Sequence, residues 1–281
     1  VAGKDVSKRA NLELPMSSFQ RLAARIGAAQ LNYHFNFSLH HHYLYVQTSK
    51  CACTYLKAGL TRFELSDQQF FSDSYRHTKH HNIIADALAN GPHQVVNRSV
   101  FIKPYQLGVA LFEQMLQDPA SWKFAVVRNP YTRILSAYLD TVKGRRQPLL
   151  NVLGDIAKLL GVEPAAVDIE GIDFELFLRG LKQRVERSGW GGVDQHYRQQ
   201  HFHLSDDIVP YTTIYRVENL AQFEDDFLQR YGQPLPKAQR GAHTTGANSK
   251  DADYYANSRC LALVEELYRE DLQRFDYRAP V

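Results

Sequence analysis

Along the chain, short runs that are apolar at every position alternate with longer stretches that are apolar at every third or fourth. Tyr43-Leu44-Tyr45-Val46-Gln47 reads as a strand. Lys50 to Thr54 is a loop of small residues, and Tyr55 to Phe63 carries Leu56 and Leu60 at helical spacing. The order recurs downstream. Phe124-Ala125-Val126-Val127 is a continuous apolar run of the kind found in buried parallel strands, and Arg128-Asn129-Pro130 ends it. Pro130 suits the first turn of a helix whose stripe is Tyr131, Ile134, Leu135, Tyr138 and Leu139, running to about Val142. A third run, Thr213 to Val217, precedes Glu218-Asn219 and a helical Leu220 to Tyr231. Before these units, Pro15 to Gln30 predicts one N-terminal helix with Ser17 or Ser18 as its cap. After them, Cys260, Leu263, Val264, Leu267, Tyr268, Leu272 and Phe275 predict a closing helix. Repeated strand and helix alternation predicts an α/β fold: a single three-layer domain over residues 1–281 with a central parallel sheet.

Composition narrows the class. With 281 residues, 44% hydrophobic and 22% charged, the chain can bury a large core, which excludes disorder, collagen and a disulfide scaffold. A net charge of +3 is too small to attract nucleic acid in bulk, so no nucleic-acid partner is expected and any anion site must come from locally placed groups. The three cysteines, Cys51, Cys53 and Cys260, make no framework, and C-x-C without a second pair suits neither redox nor zinc chemistry. The apolar stretch Leu149 to Leu160 is interrupted by Asn151, Asp155 and Lys158, short of the roughly 20 apolar residues of a membrane span. No integral membrane segment is expected.

The candidate chemistry lies in the first two units. A loop between a strand's C-terminal end and a helix N-terminus offers backbone N–H groups together with the positive end of the helix dipole. In Lys50-Cys51-Ala52-Cys53-Thr54 the small residues admit a phosphate to the backbone, Lys50 adds a charge and Thr54 a hydroxyl donor. The loop is P-loop-like in logic only, because the glycines and the Lys-Ser/Thr pair of G-x-x-x-x-G-K-[ST] are absent; a Mg-ATP machine is disfavoured. The second unit places Arg128 at a strand end and Ser136 on the helix, with Arg133 between them, and these groups suit a second phosphate.

These blocks resemble the carbohydrate sulfotransferases of the chondroitin 4-O-sulfotransferase and HNK-1 sulfotransferase group, within sulfotransferase family 2. Tyr45 to Lys57 (YVQTSKCACTYLK) is similar to that group's 5′-phosphosulfate loop, and Phe124 to Tyr138 (FAVVRNPYTRILSAY) to its 3′-phosphate strand and helix. Asp194 to Gln200 (DQHYRQQ) with Tyr215 to Leu220, and Tyr268 to Tyr277 (YREDLQRFDY), continue the likeness in order. The resemblance implies 3′-phosphoadenosine-5′-phosphosulfate (PAPS) as donor and a sugar or polysaccharide as acceptor. It implies that Lys50 touches the bridging and sulfuryl oxygens, that Thr54 and the N–H groups of Cys51, Ala52, Cys53 and Tyr55 hold the 5′-phosphate, and that Arg128 and Ser136 hold the 3′-phosphate. Two features depart from the animal Golgi members: the cysteine pair after their His-Trp segment is missing beyond His196-Tyr197, and no anchor is evident. Both fit a bacterial-type relative in a reducing cytoplasm.

Transfer to an alcohol calls for a general base, and histidine has the matching acidity. His81 and His196 are equal candidates; His77 shares a helical face with His81, and Glu218 is a further option. The His77/His81 spacing also suits a metal pair, but without the Glu of H-E-x-x-H or an obvious third ligand no metal is expected. His40-His41-His42 reads as a polar strand entry. Gly144-Arg145-Arg146 reads as a solvated charge run, with a basic lip for an acidic acceptor as the alternative, and Gly241 to Lys250 is either a surface loop or a mobile cover. Asp73-Ser74-Tyr75 and Gly189-Trp190-Gly191 are candidates either for stacking on sugar rings or for packing. The leading expectation is in-line sulfuryl transfer to a sugar hydroxyl. The alternatives are a nucleotide-dependent phosphotransferase and a non-catalytic binder of nucleotides or anionic polysaccharide.

Overall fold

A computed structural model describes residues 15–66, 99–237 and 252–279. Where one N-terminal helix was expected there are two, α1 (Ser18–Ile26) and α2 (Ala28–His34). Ser17 caps the first reciprocally: its hydroxyl accepts the Gln20 N–H, and the Gln20 side chain accepts the Ser17 N–H. Gly27, at φ 84°, ends α1 in a conformation that a residue with a Cβ rarely adopts, and the chain restarts at an angle.

Among the described residues, four strands form one sheet in the order β1-β2-β3-β4. β1 (Phe35–Ser38) pairs antiparallel with β2 (Tyr43–Val46), while β2, β3 (Trp122–Val127) and β4 (Thr213–Arg216) run parallel. The expected parallel sheet therefore carries an antiparallel edge strand and is mixed. The turn between β1 and β2 takes up His40-His41-His42, with His42 at φ 53°, so these residues make the turn rather than the strand entry.

Every residue of β2 and β3 is buried, which is why they read as unbroken apolar runs: the sheet is covered on both faces. Leu44, Val46, Ala125 and Val127 face a core shared with α1 and with α4 (Pro104–Gln117), through Leu22 and Phe112. Tyr43, Tyr45, Phe124 and Val126 face the other core, closed by α3 (Cys53–Ser66) and, after the second and third units, α9 (Leu220–Tyr231). Tyr45 stacks on Phe124 at 5.2 Å, and Trp122 on Phe223 of α9 at 5.7 Å. A third core, away from the sheet, joins α5 (Pro130–Thr141), α6 (Leu150–Leu160), α7 (Phe174–Ser188) and α10 (Ser258–Arg274), with loop residues such as Ile172 and Val193. Between α7 and β4 lies the short α8 (Gln200–Leu204). The apolar stretch ending at Leu160 is thus a helix of this core, and among the described residues no helix is long and apolar enough to cross a membrane.

Candidate functional site

β2 and β3 lie side by side in parallel, so the loops at their C-terminal ends emerge together. After β2, Lys50 and Ala52 adopt φ of 66° and 55°, left-handed at two positions that are not glycine. Such strain concentrates at functional sites, and backbone of alternating hand forms the concave anion sites called nests. The helical ladder of α3 then opens with the Leu56 N–H on the Ala52 carbonyl at 3.0 Å. One expected ligand differs: the Cys51 N–H turns back to the Thr48 carbonyl at 3.3 Å, and the Cys51 side chain is fully buried. Burial pushes that thiol up to about 12, so it stays protonated.

Lys50 reaches across to α5, where its ammonium lies 3.0 Å from Asp140 Oδ2; Arg146 holds the other oxygen at 3.1 Å. The run Gly144-Arg145-Arg146 is exposed as expected, and within it Arg146 also partners the site's carboxylate while Arg145 pairs with Glu170. Arg128, at the end of β3, donates from Nε to Thr132 Oγ1 at 3.1 Å and from Nη1 to the Lys50 carbonyl at 3.4 Å. The two loops predicted to hold phosphates are thus in contact. Ser136, one step further along α5, is 2% exposed. Arg133 turns the other way. It is fully buried, with Nε on the Ser49 carbonyl and Nη1 and Nη2 on those of Arg198 and Gln195, so it ties two backbone segments together through three carbonyls and offers nothing to a phosphate.

A sequence model of the sulfotransferase family matches residues 33–278. The chain belongs to the sulfotransferase family. No curated protein and no solved structure gives a significant match. The matched segment contains both strand-end loops and the helices that follow them.

The histidines separate. His196 is half-buried, with Nδ1 2.7 Å from Asp194 Oδ1, and the same oxygen accepts the His196 backbone N–H. Burial pushes the Asp194 carboxyl up, but the hydrogen bonds and charge of His196, with Arg198 nearby, outweigh it and hold the group below its ordinary value. A carboxylate on Nδ1 fixes the imidazole's orientation and leaves Nε2 as the basic nitrogen. His77 and His81 lie outside the described residues, as do Asp73 to Tyr75 and the segment Gly241 to Lys250. Glu218 is taken up in bracing the second loop: Oε1 accepts the Asn129 N–H and Oε2 the Tyr277 hydroxyl, both at 2.8 Å. Trp190 packs on Tyr268, with ring centroids 5.7 Å apart, as part of the third core.

Several residues in this region carry no signal in the chain's pattern. Asp140 looks like an ordinary polar position until the fold closes, and Gln200 and Asp271, although they fall within blocks that carry the resemblance, have no role implied by it. Lys57, one turn into α3, is 7% exposed, and its ammonium faces the Tyr33 ring at 5.7 Å; burial lowers it to about 8. Buried lysines are rare enough that hydropathy along α3 could have marked this one, since it occupies the apolar side of the helix.

Proposed function

We propose that the protein transfers the sulfuryl group of PAPS to a hydroxyl of a carbohydrate acceptor. The observation that carries this reading is the contact between the two strand-end loops, where the Arg128 guanidinium reaches the Lys50 carbonyl. A donor with phosphates at both its 5′ and 3′ positions needs two anion sites at one fixed separation, and family membership supports sulfuryl rather than phosphoryl chemistry. The likeness to the chondroitin and HNK-1 enzymes supports a sugar acceptor.

In this reading the start of α3 and Thr54 hold the 5′-phosphate, and Arg128 and Ser136 hold the 3′-phosphate. The acceptor oxygen attacks sulfur as the bond from sulfur to the phosphate oxygen breaks. The acceptor proton passes to a base, and a sulfate ester and adenosine 3′,5′-bisphosphate result. Lys50 leaves Asp140 to meet the charge growing on the departing phosphate oxygen, which favours the transition state over the ground state. His196, oriented by Asp194, is the base candidate within the described residues. The test is calorimetric titration of adenosine 3′,5′-bisphosphate in EDTA, followed by transfer of labelled sulfate from PAPS to a panel of sugars. Micromolar binding without Mg and label on a sugar support the reading; indifference to the bisphosphate overturns it.

A further inference from the structure

Gln200 opens α8 and is completely buried, yet no phosphate-binding pattern includes it. Its side chain sits where β3 stops being a strand. The last ladder pair joins Val127 to Arg216, and at the next residue no neighbouring strand serves the backbone. There the Gln200 amide takes over: its Oε1 accepts the Arg128 N–H at 2.8 Å and its Nε2 donates to the Arg128 carbonyl at 2.8 Å. One primary amide, with its C=O and NH2 side by side in one plane, reproduces both hydrogen bonds of a paired strand residue.

The same Oε1 also accepts the Cys51 thiol of the other loop, at 3.2 Å. The amide therefore touches both loops at once. Its own backbone is held in turn: the Gln200 N–H donates to Asp271 Oδ2 at 2.7 Å, and Asp271, a fully buried carboxylate on α10, also accepts the His201 N–H at 2.9 Å. With its backbone held from behind by a buried carboxyl group, Gln200 has little freedom to follow either loop.

We infer that Gln200 is a positioning residue that sets the distance between the two anion-binding loops, so that the protein selects donors carrying both phosphates at a fixed separation. This rests on the proposed donor assignment. Gln200 itself meets no phosphate: it acts by fixing the backbone from which Arg128 projects and the turn that contains Cys51. Its removal should therefore affect the contribution of the 3′-phosphate rather than binding in general.

The readout is the ratio of affinities for adenosine 3′,5′-bisphosphate and adenosine 5′-monophosphate, measured calorimetrically on the wild-type chain, Gln200→Met and Gln200→Glu. Methionine matches the length of glutamine without either hydrogen bond. Glutamate keeps an acceptor for the Arg128 N–H but loses the donor to its carbonyl. The wild type should prefer the bisphosphate, and Gln200→Met should cut that preference on the order of tenfold while monophosphate affinity changes little. Gln200→Glu should also lower the ratio, and it carries the test if the Met variant does not fold. A wild type without any preference overturns the donor assignment and this inference together. A strong wild-type preference that survives in a folded variant overturns this inference alone. So does an equal loss of both ligands, which marks a purely structural role.

Discussion

The Lys50 ammonium lies 3.0 Å from Asp140 Oδ2, so a carboxylate on the second strand–loop–helix unit holds the cation of the first. Both side chains are mostly buried, at 15% and 10% exposure, and Arg146 shares the carboxylate. The pair keeps Lys50 oriented in the absence of an anion, and an incoming donor competes with Asp140 for it.

Substitution at either end separates holding from chemistry. Lys50→Ala should fold and lose transfer by about 10²–10³, the loss typical of removing one donor to a developing oxyanion. Asp140→Asn removes a competing negative charge, so it should bind adenosine 3′,5′-bisphosphate several-fold more tightly while lowering turnover. Rapid-quench kinetics and calorimetry on both variants check this; unchanged turnover in Lys50→Ala contradicts the mechanism.

Arg128→Ala should leave the β3 strand intact, because the backbone bonds to Gln200 do not involve the guanidinium. The expected loss is roughly 1.5–3 kcal/mol of bisphosphate binding, the range for hydrogen bonds to a charged group. Affinity for the 5′-monophosphate should stay near that of the wild type. Equal weakening of both ligands would place Arg128 outside the 3′-phosphate site.

His196→Ala should reduce kcat by about 10²–10⁴ if the imidazole takes the acceptor proton, with bisphosphate affinity preserved. Asp194→Asn should show a smaller loss of the same kind, since it removes only the group that orients the ring. Full turnover in His196→Ala excludes it as the base.

Lys57 offers a stability test. Burial lowers its amine to about 8, so between that pH and the ordinary lysine value near 10.4 the unfolded chain binds more protons than the folded one, and stability rises with pH. Below about pH 8 the penalty is fully present. Lys57→Met should therefore stabilise the protein at pH 7, by about 3 kcal/mol, with the advantage fading as the pH approaches 10. Thermal melts at pH 7 and pH 10 read it directly. A variant less stable than wild type at pH 7 would show that the Tyr33 contact outweighs the burial of charge.

Much of the architecture is written in local pattern. Phe124 to Val127 and Tyr43 to Val46 are apolar at every position because both faces of the sheet are covered, and a run of that kind can be read without knowing what covers it. Helix α10 was expected from its stripe and is found with Asn257 as cap. Strand β1 escaped because its buried Asn36 breaks the apolar pattern. Asn36 is tolerated there only because Lys103, 67 residues away, donates to its side-chain oxygen at 2.5 Å and its amide reaches the His34 and Tyr45 carbonyls. Gly27 split the N-terminal helix although the apolar spacing continues through it, since a positive φ ends a helix whatever the side-chain period.

By itself the sequence determined the strand–loop–helix units, the order of the loops and the residue types they carry, because spacing and hydropathy are properties of neighbours along the chain. The tertiary structure alone decided which charged groups meet. Arg133 and Arg128 lie five residues apart on one segment, yet one is sealed against three carbonyls and the other projects toward Lys50. Asp140 and Gln200 come to the two loops from α5 and α8, and Asp271 of α10 holds Gln200 from behind. A buried amide or carboxylate derives its role from the partners that satisfy it, and those partners become neighbours only when the chain has folded.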